Sequence, residues 1–247
     1  MSVLPISNGK PYIESDDIKE VIKSLKSGFL SQGDSINQFE KLFKKKFKCK
    51  FSIACNSGTS AIYLAMHSIG VKKNDVIILP SINFIAAANV ANLFEAKIYF
   101  ADVDIQTGQL SVESVTRCIK KNKIKKVKAI INMYLSGNLR QVSDFYKLKK
   151  KLNCYLIEDA CHALGSYYYY KNKKFFIGSC KHSDICTFSF HPLKTITTGE
   201  GGLITTNDKK IYNKSKLFRS HGIIKTNKHW KYNVISPGLN LRLSNIN

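Results

Sequence analysis

Arginine is scarce in a chain that is otherwise strongly basic. Against 17 acidic residues stand 39 basic ones, of which only Arg117, Arg140, Arg219 and Arg242 are arginine, for a formal net charge of +22. Bidentate readout of phosphates and base edges favours the planar guanidinium, so a charge carried by lysine speaks against a nucleic-acid interface. The lysines stand in short clusters, Lys44-Lys45-Lys46, Lys120-Lys121, Lys125-Lys126 and Lys149-Lys150-Lys151, as expected of solvated helical faces and loops. A weak pull on small phosphate-bearing substrates is what remains of the charge argument.

Paired cysteines are missing as well. Cys49, Cys55, Cys118, Cys154, Cys161, Cys180 and Cys186 form no Cys-x-x-Cys pair, which argues against a structural zinc site and a disulfide framework and points to reduced thiols. No metal site is expected. No stretch nears the ~18 consecutive apolar residues of a membrane span, and no signal-peptide-like run follows Met1. The expectation is a soluble, cytoplasmic protein without a membrane partner. Internal repeats and low-complexity tracts are also lacking.

What is present is 44% hydrophobic residues in 247, enough to build a core in one large domain, or in one domain and part of another. Behind Ser15-Asp16-Asp17, apolar residues Ile18, Val21, Ile22 and Leu25 recur at helical spacing until Gly28. A second amphipathic helix runs through Phe39, Leu42, Phe43 and Phe47. These two read as a lead-in to a larger domain. Its elements are strand 51–55, helix 61–69, strand 75–79, helix 85–94, strand 97–100, helix 112–120, strand 127–132, helix 142–152 and strand 154–157. Strands alternating with helices of this length predict βαβ units, an α/β fold with a mostly parallel sheet. Tyr167 to Tyr170 with Lys171-Asn172-Lys173 predicts a hairpin.

Three stretches carry candidate chemistry. Asn56-Ser57-Gly58-Thr59-Ser60, between a strand and a helix, is either a phosphate site of backbone N–H groups and hydroxyls or an ordinary helix cap. Glu158-Asp159-Ala160-Cys161-His162-Ala163 follows a strand at the end where open α/β sheets bind ligands. Asp159 and His162 face one pocket, or else Asp159 is an N-cap and His162 a packed core residue. In Phe188-Ser189-Phe190-His191-Pro192-Leu193-Lys194-Thr195-Ile196-Thr197-Thr198-Gly199-Glu200-Gly201-Gly202, one lysine stands between an apolar strand and a Thr/Gly turn. It is a candidate for amine chemistry or simply a loop lysine after Pro192.

In this order the three stretches resemble the DegT/DnrJ/EryC1/StrS family of sugar aminotransferases. The resemblance begins near Asn8-Gly9-Lys10 and Leu30-Ser31-Gln32-Gly33 and reaches Gly238-Leu239-Asn240-Leu241-Arg242. It implies a fold-type I large domain that uses pyridoxal 5′-phosphate (PLP). By that resemblance Lys194 carries the cofactor covalently and later shuttles the proton, and Asp159 pairs with the pyridine nitrogen. Gly58, Thr59, Ser60 and Ser189 hold the phosphate, Phe84 stacks on the ring, and His162 lies near its face and 3′-hydroxyl. Asn240 matches an asparagine that reaches the partner's cofactor across a homodimer interface. The implied reaction moves an amino group from an amino acid, usually L-glutamate, to a keto carbon of a nucleotide-linked deoxyhexose, in glycan or surface polysaccharide synthesis. A lysine at 194 separates the chain from sister sugar dehydratases with histidine there.

The resemblance also implies a small C-terminal domain, largely missing from these 247 residues. The expected division is 1–35 as lead-in, 36–237 as PLP-binding large domain and 238–247 as the start of the truncated C-terminal domain. A truncated product, a fragment and a chain completed by a second polypeptide are the alternatives. From a different class comes a non-catalytic remnant or regulatory partner that keeps the fold without turnover.

Overall fold

The computed structural model describes residues 9–31, 33–225 and 231–247. Asn8 and Gln32 of the resemblance lie outside the described residues. In chain order the elements are α1 (Ser15–Lys26), α2 (Asp34–Phe47), β1 (Phe51–Cys55), α3 (Gly58–Ser68), β2 (Val76–Pro80), α4 (Ala86–Leu93), β3 (Lys97–Ala101), α5 (Val112–Lys121), β4 (Ala129–Met133), α6 (Val142–Leu152), β5 (Tyr155–Asp159), β6 (Tyr167–Tyr170), β7 (Lys173–Phe176), β8 (Ile185–Ser189), β9 (Gly202–Thr206), α7 (Lys209–Phe218), β10 (Ile223–Lys225) and β11 (Tyr232–Val234).

Short apolar runs feed the seven-stranded sheet, ordered β1-β9-β8-β5-β4-β2-β3. Strands β8, β5, β4, β2 and β3 pair in parallel, and β9 is antiparallel to both β8 and β1. Only β9 therefore runs against the rest, as the expectation of a mostly parallel sheet requires. The central strands are buried on both faces, which is why they read as continuous Ile, Leu, Val and Ala rather than as alternation. Tyr167 to Phe176 forms the expected hairpin.

One face of the sheet packs on α3, α4 and α7 through Leu64, Ala65, Val90, Ile157, Ile204 and Ile211. On the other face, α5 and α6 close over Ile78, Val115, Ile130, Phe145 and Leu156. Beside them α2 brings Phe43 and Phe47 onto Phe188 and Phe190, with ring centroids 5.6 to 6.1 Å apart. Such pairs add ~0.5–1.5 kcal/mol each beyond the area they bury.

Two expectations shift. Helix α3 begins at Gly58 rather than at Ala61, because Ser57 caps it by accepting from the Ser60 amide. Helix α1 has the expected period, yet none of its residues is buried, because no described element covers its apolar face. The seven cysteines are free thiols, all buried except the partly exposed Cys161. Among the described residues no helix is long and apolar enough to cross a membrane.

Candidate active site

The carboxyl ends of β5 and β8 and the amino end of α3 converge on one place. Strand β5 finishes at Asp159, paired in register with Met133 of β4 and Thr187 of β8, and only 4% exposed. No helix comes next, so Asp159 is not an N-cap. Its Oδ1 accepts from the Cys161 amide at 3.1 Å, which folds residues 160–166 into tight turns. Burial and the neighbouring carboxylate push the Cys161 thiol well up, which keeps it protonated and unreactive.

Those turns present a half-buried His162, whose Nε2 lies 2.9 Å from Lys194 Nζ. Burial, and next the Lys194 charge, lower the His162 pKa, with Asp159 acting the other way. The ring is therefore neutral at physiological pH, since desolvation disfavours imidazolium. It is neither a sealed core histidine nor a solvated one.

Lys194 is held at both ends. Its backbone amide donates to the His191 carbonyl at 2.8 Å, and the loop around it closes on Phe190. The Phe190 carbonyl accepts from the Thr198 amide at 3.0 Å and the Thr197 hydroxyl at 3.1 Å, and its amide donates to Gly201 at 2.8 Å. The Thr/Gly turn is thus the clamp that returns the chain from β8 to β9, with Lys194 at its crest. It is not a loose loop residue.

Helix α3 supplies the anion end. Gly58, Thr59 and Ser60 form its first turn, and the Gly58 and Thr59 amides have no partner among the described residues. Unpaired amides at a helix start attract phosphate. A Cβ at Gly58 would lie 2.7 Å from Ser189 Cβ, so glycine is required for α3 to touch the end of β8. That contact sets the Ser189 hydroxyl beside the helix start, while Ser57 donates to the Ser60 hydroxyl at 3.0 Å.

Two expected residues stand apart. Phe84 precedes α4 and is 71% exposed, with no ring contact to the cluster. Its neighbour Asn83 has both side-chain amide atoms buried without a partner, polar capacity that a ligand could satisfy. Asn240 is exposed and bridges to Ser220, not to Lys194. Its neighbour Leu241 accepts from the Asn56 amide at 3.0 Å, so this segment flanks the α3 turn.

Other contributors carried no individual role in the sequence reading. Ser57 is the cap, a role visible in the Ser57-x-x-Ser60 spacing. The Ser136-Gly137 turn donates the Ser136 amide to His162 Nδ1 at 3.4 Å. Beneath Asp159, buried Glu158 accepts from the Tyr134 and Ser183 hydroxyls at 2.7 Å each. Nothing in the local pattern distinguishes Glu158 from a surface glutamate.

The sequence profile of the DegT/DnrJ/EryC1/StrS aminotransferase family matches residues 11–247. A UDP-4-amino-4,6-dideoxy-N-acetyl-beta-L-altrosamine transaminase of Campylobacter jejuni (serotype O:23/36, strain 81-176) is 38% identical over 234 residues, covering 95% of this chain and 60% of the relative. A GDP-perosamine synthase of Escherichia coli O157:H7 is 33% identical, covering 100% and 64%. Helicobacter pylori PseC, an aminotransferase involved in the biosynthesis of pseudoaminic acid, superposes with a TM-score of 0.85 at 31% identity, covering 97% and 62%. The chain thus spans about three fifths of the length of the relatives it matches. The chain belongs to the DegT/DnrJ/EryC1/StrS aminotransferase family.

Proposed function

We propose that this chain is the cofactor-binding part of an aminotransferase that moves an amino group from an amino acid, with L-glutamate the expected donor, to a keto carbon of a nucleotide-linked deoxyhexose. The observation that carries the reading is the Lys194–His162 contact beside buried Asp159, at the strand ends and next to an uncovered helix start. The family's cofactor is pyridoxal 5′-phosphate, and the residues fit it. A phosphate matches the open Gly58 and Thr59 amides with the Thr59, Ser60 and Ser189 hydroxyls, a ring nitrogen matches Asp159, and an aldehyde matches the Lys194 amine.

Bound there, the cofactor supplies an electron sink that lets a proton leave the carbon bearing the nitrogen. Lys194 is the group that takes and returns this proton at Nζ, because its amine stands at the strand ends 2.9 Å from His162 Nε2. Asp159 keeps a proton on the ring nitrogen by placing a buried carboxylate against it. His162 stays neutral and is a hydrogen-bonding partner rather than a competing cation. Phe84 is assigned to cover the ring.

In the same reading residues 36–237 form the cofactor domain. Residues 1–35 lead into it, and 238–247 open the next domain, where the Asn245 amide donates to the Leu30 carbonyl at 2.9 Å. Exposed Asn240 is assigned to a partner's cofactor in a homodimer, and the compartment is the cytoplasm. The activity test incubates the PLP-loaded chain with L-glutamate and a nucleotide-linked 4-keto-6-deoxyhexose and measures 2-oxoglutarate. Release of 2-oxoglutarate that Lys194→Ala abolishes is expected. A chain that holds the cofactor yet converts no amino acid donor would support the non-catalytic alternative.

A further inference from the structure

We infer that the turn 134–138 is a tautomer lock: its backbone fixes the proton of neutral His162 on Nε2 and aims that N–H at Lys194. The geometry stands independently of the proposed function, but its meaning for catalysis rests on that reading.

The Ser136 amide donates to Nδ1 at 3.4 Å. A ring nitrogen that accepts a hydrogen bond carries no proton, so the neutral imidazole must carry its proton on Nε2. Imidazolium would set an Nδ1–H against the Ser136 N–H. The charged groups that act on the ring are Lys194 and Asp159. An ammonium at Lys194 also opposes the cation, and the Asp159 carboxylate favours it.

The turn does not depend on His162 for its position. The Tyr134 amide donates to the Asp159 carbonyl at 3.1 Å, and buried Gln109 donates through Nε2 to the Leu135 carbonyl at 2.9 Å. The Ser166 hydroxyl donates to the Gly137 carbonyl at 3.3 Å. Ser136 adopts φ 55° and ψ 20°, the left-handed conformation, which turns its amide toward the ring. Gly137 has φ +76°, and a Cβ there would lie 2.8 Å from the His162 carbonyl oxygen. Glycine therefore allows the turn to sit against the histidine.

The consequence passes to Lys194. Facing an Nε2–H at 2.9 Å, Nζ can accept from it only as the free amine, whose lone pair is also the one needed for attack on an aldehyde. With a cofactor on Lys194, the Nε2–H would be free to act as a hydrogen-bond donor to it. Ser136, Gly137 and Gln109 are positioning residues, since none reaches the reacting atoms.

The test uses the full chain, free of cofactor and labelled with 15N at its 6 histidines, in a two-bond 1H–15N correlation at about pH 7.5, above the ordinary histidine range. His162→Gln identifies the signal by its loss. An unprotonated Nδ1 with a protonated Nε2 is expected, and a protonated Nδ1 overturns the proposal. Ser136→Ala keeps the backbone N–H and is expected to leave the tautomer unchanged, so a change there also counts against the lock. Gly137→Ala is expected to give a mixture of tautomers. Gln109→Met, which drops the brace without adding a Cβ to the turn, carries the same expectation should Gly137→Ala not fold. A single Nε2–H tautomer persisting without the brace overturns the lock. Uptake of PLP, read by visible absorbance on the same sample, separates the two claims. A wild-type chain that shows the Nε2–H tautomer but takes up no cofactor breaks the functional reading and leaves this one standing.

Discussion

The lead-in helices α1 and α2 read alike and fold into different situations. Both are amphipathic and both begin with acidic residues and end with lysines. Helix α2 buries Ile36, Phe43 and Phe47, and its Glu40 carboxylate accepts from Arg219 at 2.8 Å and from the Ala54 amide at 2.9 Å. Helix α1 leaves Ile18, Val21, Ile22 and Leu25 exposed. It is held by a capping box between Glu14 and Asp17 and by the exposed pairs Lys19–Asp16 at 2.8 Å and Lys23–Glu20 at 3.2 Å. Exposed pairs contribute at most about 1 kcal/mol, and short isolated helices are marginal in water. The period of a pattern therefore specifies a face, whereas stability depends on what meets that face. Here α2 meets β8, the strand that leads to Lys194.

Breaking the covered side has the largest effect. Phe43→Ala empties the aromatic cluster and is expected to cost about 3–5 kcal/mol, read as a lower urea midpoint. Cofactor uptake is expected to weaken with it, because Phe190 of the Lys194 clamp packs on the same ring.

The polar part of the buried side sharpens the contrast through pH. Burial raises the Glu158 pKa above its ordinary 4.5, with its two hydroxyl donors acting the other way. A carboxyl whose folded pKa is raised binds its proton more tightly in the folded state. Its contribution is full below the unfolded value and is lost as pH rises toward the folded value. Glu158→Gln is expected to gain stability relative to wild type as pH climbs above about 4.5, where the wild-type carboxyl begins to ionise on unfolding. A stability difference independent of pH would contradict this.

The smallest effect belongs to the uncovered side. Ile22→Ala in α1 is expected to change stability by less than about 0.5 kcal/mol, and α1 amides are expected to exchange with solvent long before those of β5. A loss of 2 kcal/mol or more, well above the surface norm of about 0.5, would mean that α1 is covered in solution.

The same contrast explains what could be read ahead of the structure. The parallel strands were legible because burial on both faces removes polar residues from them. Lys194 stood out because it interrupts an apolar strand and a glycine turn, and Asp159 because it ends a buried strand. The outward face of α1 was illegible, since its spacing matches that of α2. So was the Ser136 amide, because backbone donors leave no residue-type signal. Glu158 was hidden for another reason: its hydroxyl partners Tyr134 and Ser183 lie 24 and 25 residues away. The cap reading of the Asn56–Ser60 stretch holds at Ser57, but the helix it caps begins at Gly58 rather than Ala61.

In the proposed function, Lys194 is the residue to which the cofactor attaches. The most direct measurement is borohydride reduction of the purified chain with added PLP, combined with peptide mass spectrometry across residues 188–202. A pyridoxyl group is expected on Lys194 and on none of the clustered surface lysines at comparable yield. Folded, soluble protein with Lys194 unmodified, or labelled no more than Lys149 or Lys150, would contradict it.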